Sequence, residues 1–214
     1  RPTIAAIHTF HTSGGLILRF PTLADQDWNF PRADIEAHRA IAEDGSAITG
    51  YANFAHEKKA IVDLMSPGHG VFNDWASKEF GVLAITTEMW AHAMGEGQEA
   101  LFAWNDDLLG GSGFVDWYPF EHPNLGSVEL GGWDRWSTAS PPERMMAAEI
   151  ERNVRWVLTF ADKTPQVAIQ AATGVPSADG QRIDVSVANI GRMATATEQD
   201  AEVLDIAKPV RVRR

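Results

Sequence analysis

Seven histidines, 29 Asp and Glu and no cysteine set the side-chain chemistry open to this 214-residue chain. Without thiols there is no disulfide, no Cys-ligated zinc and no thiol nucleophile, so any bound metal must use His, Asp or Glu. Two such residues stand at the ends of apolar runs: His8 follows Thr3-Ile4-Ala5-Ala6-Ile7, and Glu88 follows Val82-Leu83-Ala84-Ile85-Thr86-Thr87. A neutral imidazole at a strand end suits a catalytic zinc site, because the strand fixes the ring direction and apolar walls keep the site dry. A hydrogen-bonded core histidine is the plainer alternative. An ionised Glu88 must be solvated, paired or linked to a metal, since an isolated buried carboxylate costs too much. His11 lies three residues after His8 on a strand leading into a turn, so the two rings are expected to point in different directions and not to form a two-histidine metal site. Asp25-Gln26-Asp27 lacks the Gly and terminal Glu of a calcium loop and reads as a solvated turn. There is no Gly-x-Ser-x-Gly elbow, no His-Glu-x-x-His helix and no Walker loop.

The elements that would position these residues alternate in type. After the strand entering His8, Gly15-Leu16-Ile17-Leu18 reads as a second strand, and Ala33 to Glu43 reads as a helix stopped by Gly45. Ser66-Pro67-Gly68-His69-Gly70 is dense in breakers and reads as a surface loop. The β-branched run into Glu88 is expected to be a strand buried on both faces of a central sheet. From Trp104 to Trp136 little periodicity is visible, and ordered loops with short strands are expected. Ser140 as N-cap, Pro141 at the first helical position and Glu143 completing a capping box predict a helix. Along it Met146, Ile150, Val154, Val157 and Leu158 form one apolar stripe. Beyond Lys163-Thr164-Pro165 the period changes to two: Val167, Ile169 and Ala171, then Ile183, Val185 and Val187, flank a turn at Ala178-Asp179-Gly180. The expected architecture is α/β: part of a mixed central sheet flanked by helices over residues 1–163, followed by a small or truncated β-sandwich-like appendage over 164–214.

The segment Ile7-His8-Thr9-Phe10, with Gly15-Leu16-Ile17-Leu18-Arg19-Phe20-Pro21 after it, resembles the strand that delivers the third zinc ligand in the M14, carboxypeptidase A-like, family. Asn73-Asp74-Trp75 precedes Glu88 by fourteen residues counted from Asp74. That interval resembles the family's Asp-Trp pair and the strand ending in its catalytic Glu. Thr49-Gly50-Tyr51, Gly113-Phe114-Val115, Glu121-His122-Pro123 and Glu129-Leu130-Gly131-Gly132-Trp133 resemble a bacterial branch, so the resemblance spans nearly the whole chain. It implies a zinc metallocarboxypeptidase acting on the C-terminal bond of a peptide, with His8 as one zinc ligand and Glu88 as general acid/base. It further implies that Thr9 and Phe10 line the cleft beside the metal and that Asn73 and Thr86 line the pocket for the terminal side chain. A turn-capping role for Asn73 is the alternative.

Three departures bound that implication. No histidine here has Glu three residues on, so the family's His-x-x-Glu zinc pair is absent. The arginines that hold the substrate carboxylate also lie upstream in the family. The family's mobile Tyr aligns with Ser66, and His69 in the same loop either takes over its hydrogen bond or is simply solvated. A lone ligand does not hold a catalytic zinc, so the remaining ligands are expected from an upstream segment of the same gene product, and the isolated chain is expected to be inactive.

Composition narrows the partners. Hydrophobic residues make 44% and charged residues 22%, the balance of a folded domain, and the formal net charge is -11. That charge disfavours nucleic acid and anionic lipid, both of which need concentrated Lys and Arg. No apolar run reaches the ~20 residues of a membrane span, and no signal-peptide layout opens the chain. A secreted or periplasmic location is slightly favoured over a cytoplasmic one. Two other function classes stay open: a degenerate, non-catalytic M14-like binding module, and a carbohydrate-active protein. In the latter, five Trp between Trp104 and Trp156 would stack on sugars and Asp106, Asp107, Asp116 and Glu121 would include a catalytic pair.

Overall fold

Residues 6–12 and 83–89 form the two strands on which the candidate site depends. In the computed structural model, which describes residues 4–20, 31–53, 71–90, 98–196, 199–203 and 210–211, Ala6–Thr12 (β1) pairs in parallel with Leu83–Met89 (β4). Leu16–Arg19 (β2) lies antiparallel on the other edge of β4 and is joined in parallel by the two-residue strand Ala52–Asn53 (β3). The result is a mixed four-stranded sheet in the order β1-β4-β2-β3. Leu83, Ala84, Ile85 and Thr87 are fully buried, as expected of a strand covered on both faces. The fold is thus mixed α/β, and among the described residues no helix is long and apolar enough to cross a membrane.

Helices cover the sheet. Arg32–Thr49 (α1) and Glu143–Asp162 (α5) pack on one face, where Ile17, Ile41, Ala42, Tyr51, Leu83, Ile85, Trp156, Phe160 and Met193 form the core. Phe72–Lys78 (α2) reaches the other face through Asn73, whose side chain bonds to Thr86. Helix α1 does not stop at Gly45 but runs on to Thr49, and Gly50 takes the left-handed cap at φ 76°. Gly45 serves packing instead: a Cβ there would lie 2.4 Å from Ile17 Cδ1 and 2.8 Å from Trp156 Cζ2. Gly45→Val is therefore expected to destabilise the fold by about 1–3 kcal/mol, more than the small gain in helix propensity returns. Urea denaturation checks this, and an unchanged midpoint would contradict the close approach.

Helix α5 starts at Glu143 with Pro142 as its N-cap and no side-chain cap, while Ser140 ends the short preceding helix Arg135–Ala139 (α4). Its buried face is also not the aliphatic one. Met146, Ile150, Val154 and Leu158 are exposed, and Glu149, Asn153, Trp156 and Phe160 face the core. Two rings and the sheet outcompete the stripe for burial, because the Trp156 indole both fills the core and hydrogen-bonds Thr87 at 3.1 Å.

The Gly-rich middle is more regular than its periodicity suggests. Gln98–Leu109 is a helix (α3), and Phe114–His122 (β5) and Gly126–Trp133 (β6) form a long antiparallel hairpin. Val167–Ser177 (β7) and Gly180–Asn189 (β8) form a second hairpin closed at Ala178-Asp179, as the alternation predicts. After it the chain returns to the core. Met193 is 4% exposed and its N–H bonds to the Lys163 carbonyl at 2.9 Å. Ala201, in Asp200–Val203 (α6), packs against Gly81. Lys163, capping α5, pairs with Asp44 of α1.

Candidate functional site

Strand register decides which side chains can meet. In the β1·β4 pair, His8 lies opposite Ile85, Thr9 opposite Thr86, Phe10 opposite Thr87 and His11 opposite Glu88. Side chains alternate along a strand, so Thr9, His11, Thr86 and Glu88 share one face and His8, Phe10, Ile85 and Thr87 share the other. His8 and Glu88 are therefore separated by the sheet. The ring expected to hold zinc and the carboxylate expected to work beside it do not meet.

His8 lies within β1, not at its end, and its ring is boxed in by aromatic groups. The centroids of Phe10, Trp156 and Phe160 are 4.6, 5.7 and 5.4 Å away. Its Nε2 is 3.1 Å from the Thr87 hydroxyl. Burial lowers its pKa from 6.5 to about 4. The neutral ring is thus favoured by the fold. Between pH 6.5 and 4 the unfolded chain binds a proton at this position that the folded chain does not, so stability is full above that window and is lost as pH falls through it. The loss attributable to His8 is about 3 kcal/mol. Chemical denaturation at pH 7 and pH 4.5 should show a smaller pH loss in His8→Phe than in the parent, and an identical loss would contradict the assignment.

On the opposite face, Glu88 is 13% exposed and His11 68% exposed, with His11 Nδ1 3.6 Å from Glu88 Oε1. That distance is a charge contact when the ring is protonated and is too long for a hydrogen bond. Desolvation pushes the Glu88 carboxyl above the usual carboxylate range, and the charge of His11 pulls the other way. Both residues sit at the C-terminal ends of adjacent parallel strands, the edge at which open α/β sheets place ligands. Breakers signal this position for His11, since Thr12-Ser13-Gly14-Gly15 follows it directly; His8 has four more strand residues ahead of it.

Beside Glu88 runs a row of hydrogen bonds. The Thr9 and Thr86 hydroxyls are 2.7 Å apart, Thr86 Oγ1 donates to the Asn73 side-chain carbonyl, and Asn73 Nδ2 donates to the Leu18 carbonyl at 3.2 Å. Asn73 is 3% exposed and Thr86 6%. Asn73 therefore does not cap a turn: it ties α2 to β4 and β2, with its carbonyl oxygen and amide nitrogen both engaged internally. Of the residues expected to contact substrate, Thr9, Asn73 and Thr86 share the face of Glu88. Phe10 lies with His8 on the other, and Ser66 and His69 lie outside the described residues.

A catalytic zinc takes three protein ligands. Among the described residues no group of three His, Asp or Glu side chains gathers at one point. The donor set here fits one ligand, the exposed His11 imidazole, beside a partly desolvated carboxylate; His8 fits poorly, enclosed by rings with Nε2 on Thr87. The acids considered for sugar chemistry are not paired within their elements. Asp116 and Glu121 are five residues apart on β5, about 16 Å at the usual rise, beyond the span of a glycosidase pair. Asp106 and Asp107 are consecutive on α3 and point about 100° apart. No family model, no curated protein and no solved structure matches the chain.

Proposed function

We propose that the protein is part of an M14-like zinc metallocarboxypeptidase, in which Glu88 is the general acid/base and His11, rather than His8, is the zinc ligand this chain contributes. The observation that carries the reading is the His11 and Glu88 pair, 3.6 Å apart on one sheet face at the ends of parallel strands. The interval from Asp74 to Glu88 adds to it. The remaining ligands come from outside the described residues, in keeping with an upstream segment as partner.

When bound, zinc supplies Lewis acidity to the scissile carbonyl and to a water. The protein's own residues move the proton. Glu88, its carboxyl raised above the usual carboxylate range by desolvation, accepts in its ionised form a proton from the attacking water and returns it to the leaving amine. A carboxyl raised above its ordinary range suits that exchange, since its ionised form takes up a proton more readily than an ordinary carboxylate and its acid form still gives the proton to an amine. The row Thr9, Thr86 and Asn73 fixes the wall beside the carboxylate.

The reading is tested by metal removal from the complete protein. Release of C-terminal residues from peptides is expected to stop after chelation and to return with about one zinc per molecule, while the isolated 214-residue chain holds zinc poorly. Full hydrolysis in the presence of chelator would overturn it.

A further inference from the structure

The backbone of Trp90, two residues past Glu88, joins the two strand ends that carry the site. Its N–H donates to Glu149 Oε1 at 3.1 Å and to Tyr51 Oη at 3.0 Å. Its carbonyl accepts from the Gly14 N–H at 3.1 Å, in the turn that follows His11. Trp90 achieves this at φ 66°, a left-handed conformation that a bulky residue keeps only where its surroundings over-determine it. Glu149 and Tyr51 supply that determination from beneath. They are 4% and 3% exposed, and the Tyr51 hydroxyl donates to Glu149 Oε1. Asn153 Nδ2 donates to Tyr51 Oη at 3.0 Å, and Arg152 Nε lies 3.2 Å from Glu149 Oε2. A buried carboxylate is tolerated only with its charge and lone pairs met in this way. Helix α5 thereby reaches through the core to grip the backbone at the end of β4.

We infer that Glu149, together with Tyr51, is a positioning residue: it clamps Trp90 so that the end of β4 behind Glu88 and the turn after His11 keep a fixed spacing. The clamp stands on its own geometry; its consequence for catalysis rests on the proposed pairing of His11 with Glu88.

Amide hydrogen exchange and hydrolysis by the complete protein test it together. In Glu149→Leu, the Trp90 and Gly14 amides are expected to exchange about 10- to 100-fold faster relative to Ile85, the loss of a hydrogen bond to a charged group. Peptide hydrolysis is expected to show kcat down by a similar factor with KM unchanged. Glu149→Gln keeps an acceptor for the Trp90 N–H and should recover most of both. Tyr51→Phe removes only the hydroxyl and should show the same local pattern in smaller measure, which keeps the test open if Glu149→Leu does not fold. Equal acceleration at Ile85, unchanged exchange at Trp90 and Gly14, or accelerated exchange with unchanged kcat would overturn the positioning role. Absence of hydrolysis in the parent protein would overturn the peptidase reading instead, and the exchange pattern would still decide the clamp.

Discussion

Glu88→Gln is expected to lower kcat for peptide hydrolysis by about 10²- to 10⁴-fold, the range a positioned acid/base contributes, while zinc stays bound. The amide keeps the shape of the carboxylate, but it cannot take a proton from water. The parent rate should rise through an acid limb above the ordinary carboxylate range, because desolvation favours the neutral form of Glu88 and the base must ionise before it acts. That limb should vanish in the variant. Retained turnover with an unchanged pH profile would remove Glu88 from the mechanism.

The second large effect separates the two histidines. His11→Ala is expected to weaken zinc binding by more than about 100-fold, since even partners behind a ligand carry 10- to 100-fold. His8→Phe is expected to leave zinc content and kcat within a few-fold, because its ring lies among Phe10, Trp156 and Phe160 across the sheet from Glu88. Zinc titration with a competing chelator measures both. The reverse ranking would mean that the register between β1 and β4 differs from Thr9 opposite Thr86.

That register is what the sequence could not supply. The apolar, β-branched run into Glu88 announced a buried strand, and the strand is there. The pairing of His8 with Ile85 leaves Glu88 three positions further along β4, an odd step, which sends the His8 and Glu88 side chains to opposite faces. Motif order alone carries no such parity. A local signal did exist in the breakers after His11, which mark the true end of the strand. Helix α5 misleads for a related reason: its aliphatic stripe is regular, but the buried face mixes Trp156 and Phe160 with Glu149 and Asn153, polar residues that become internal only because Tyr51 and Trp90 meet them. Gly45 is a third instance. A glycine after a helical run reads as a stop, and only the closeness of Ile17 and Trp156 reveals it as a contact point. The terminal hairpin was legible because alternating apolar residues and the turn at Ala178-Asp179-Gly180 specify it locally.

We propose that His11 and Glu88 form this chain's share of a zinc site. Anomalous scattering at the zinc edge from crystals of the complete protein tests it most directly. One zinc peak is expected about 2.0–2.1 Å from a ring nitrogen of His11, on the face of the sheet that bears Glu88. A zinc peak on His8, or a zinc-loaded, active protein with no metal near His11, would contradict it.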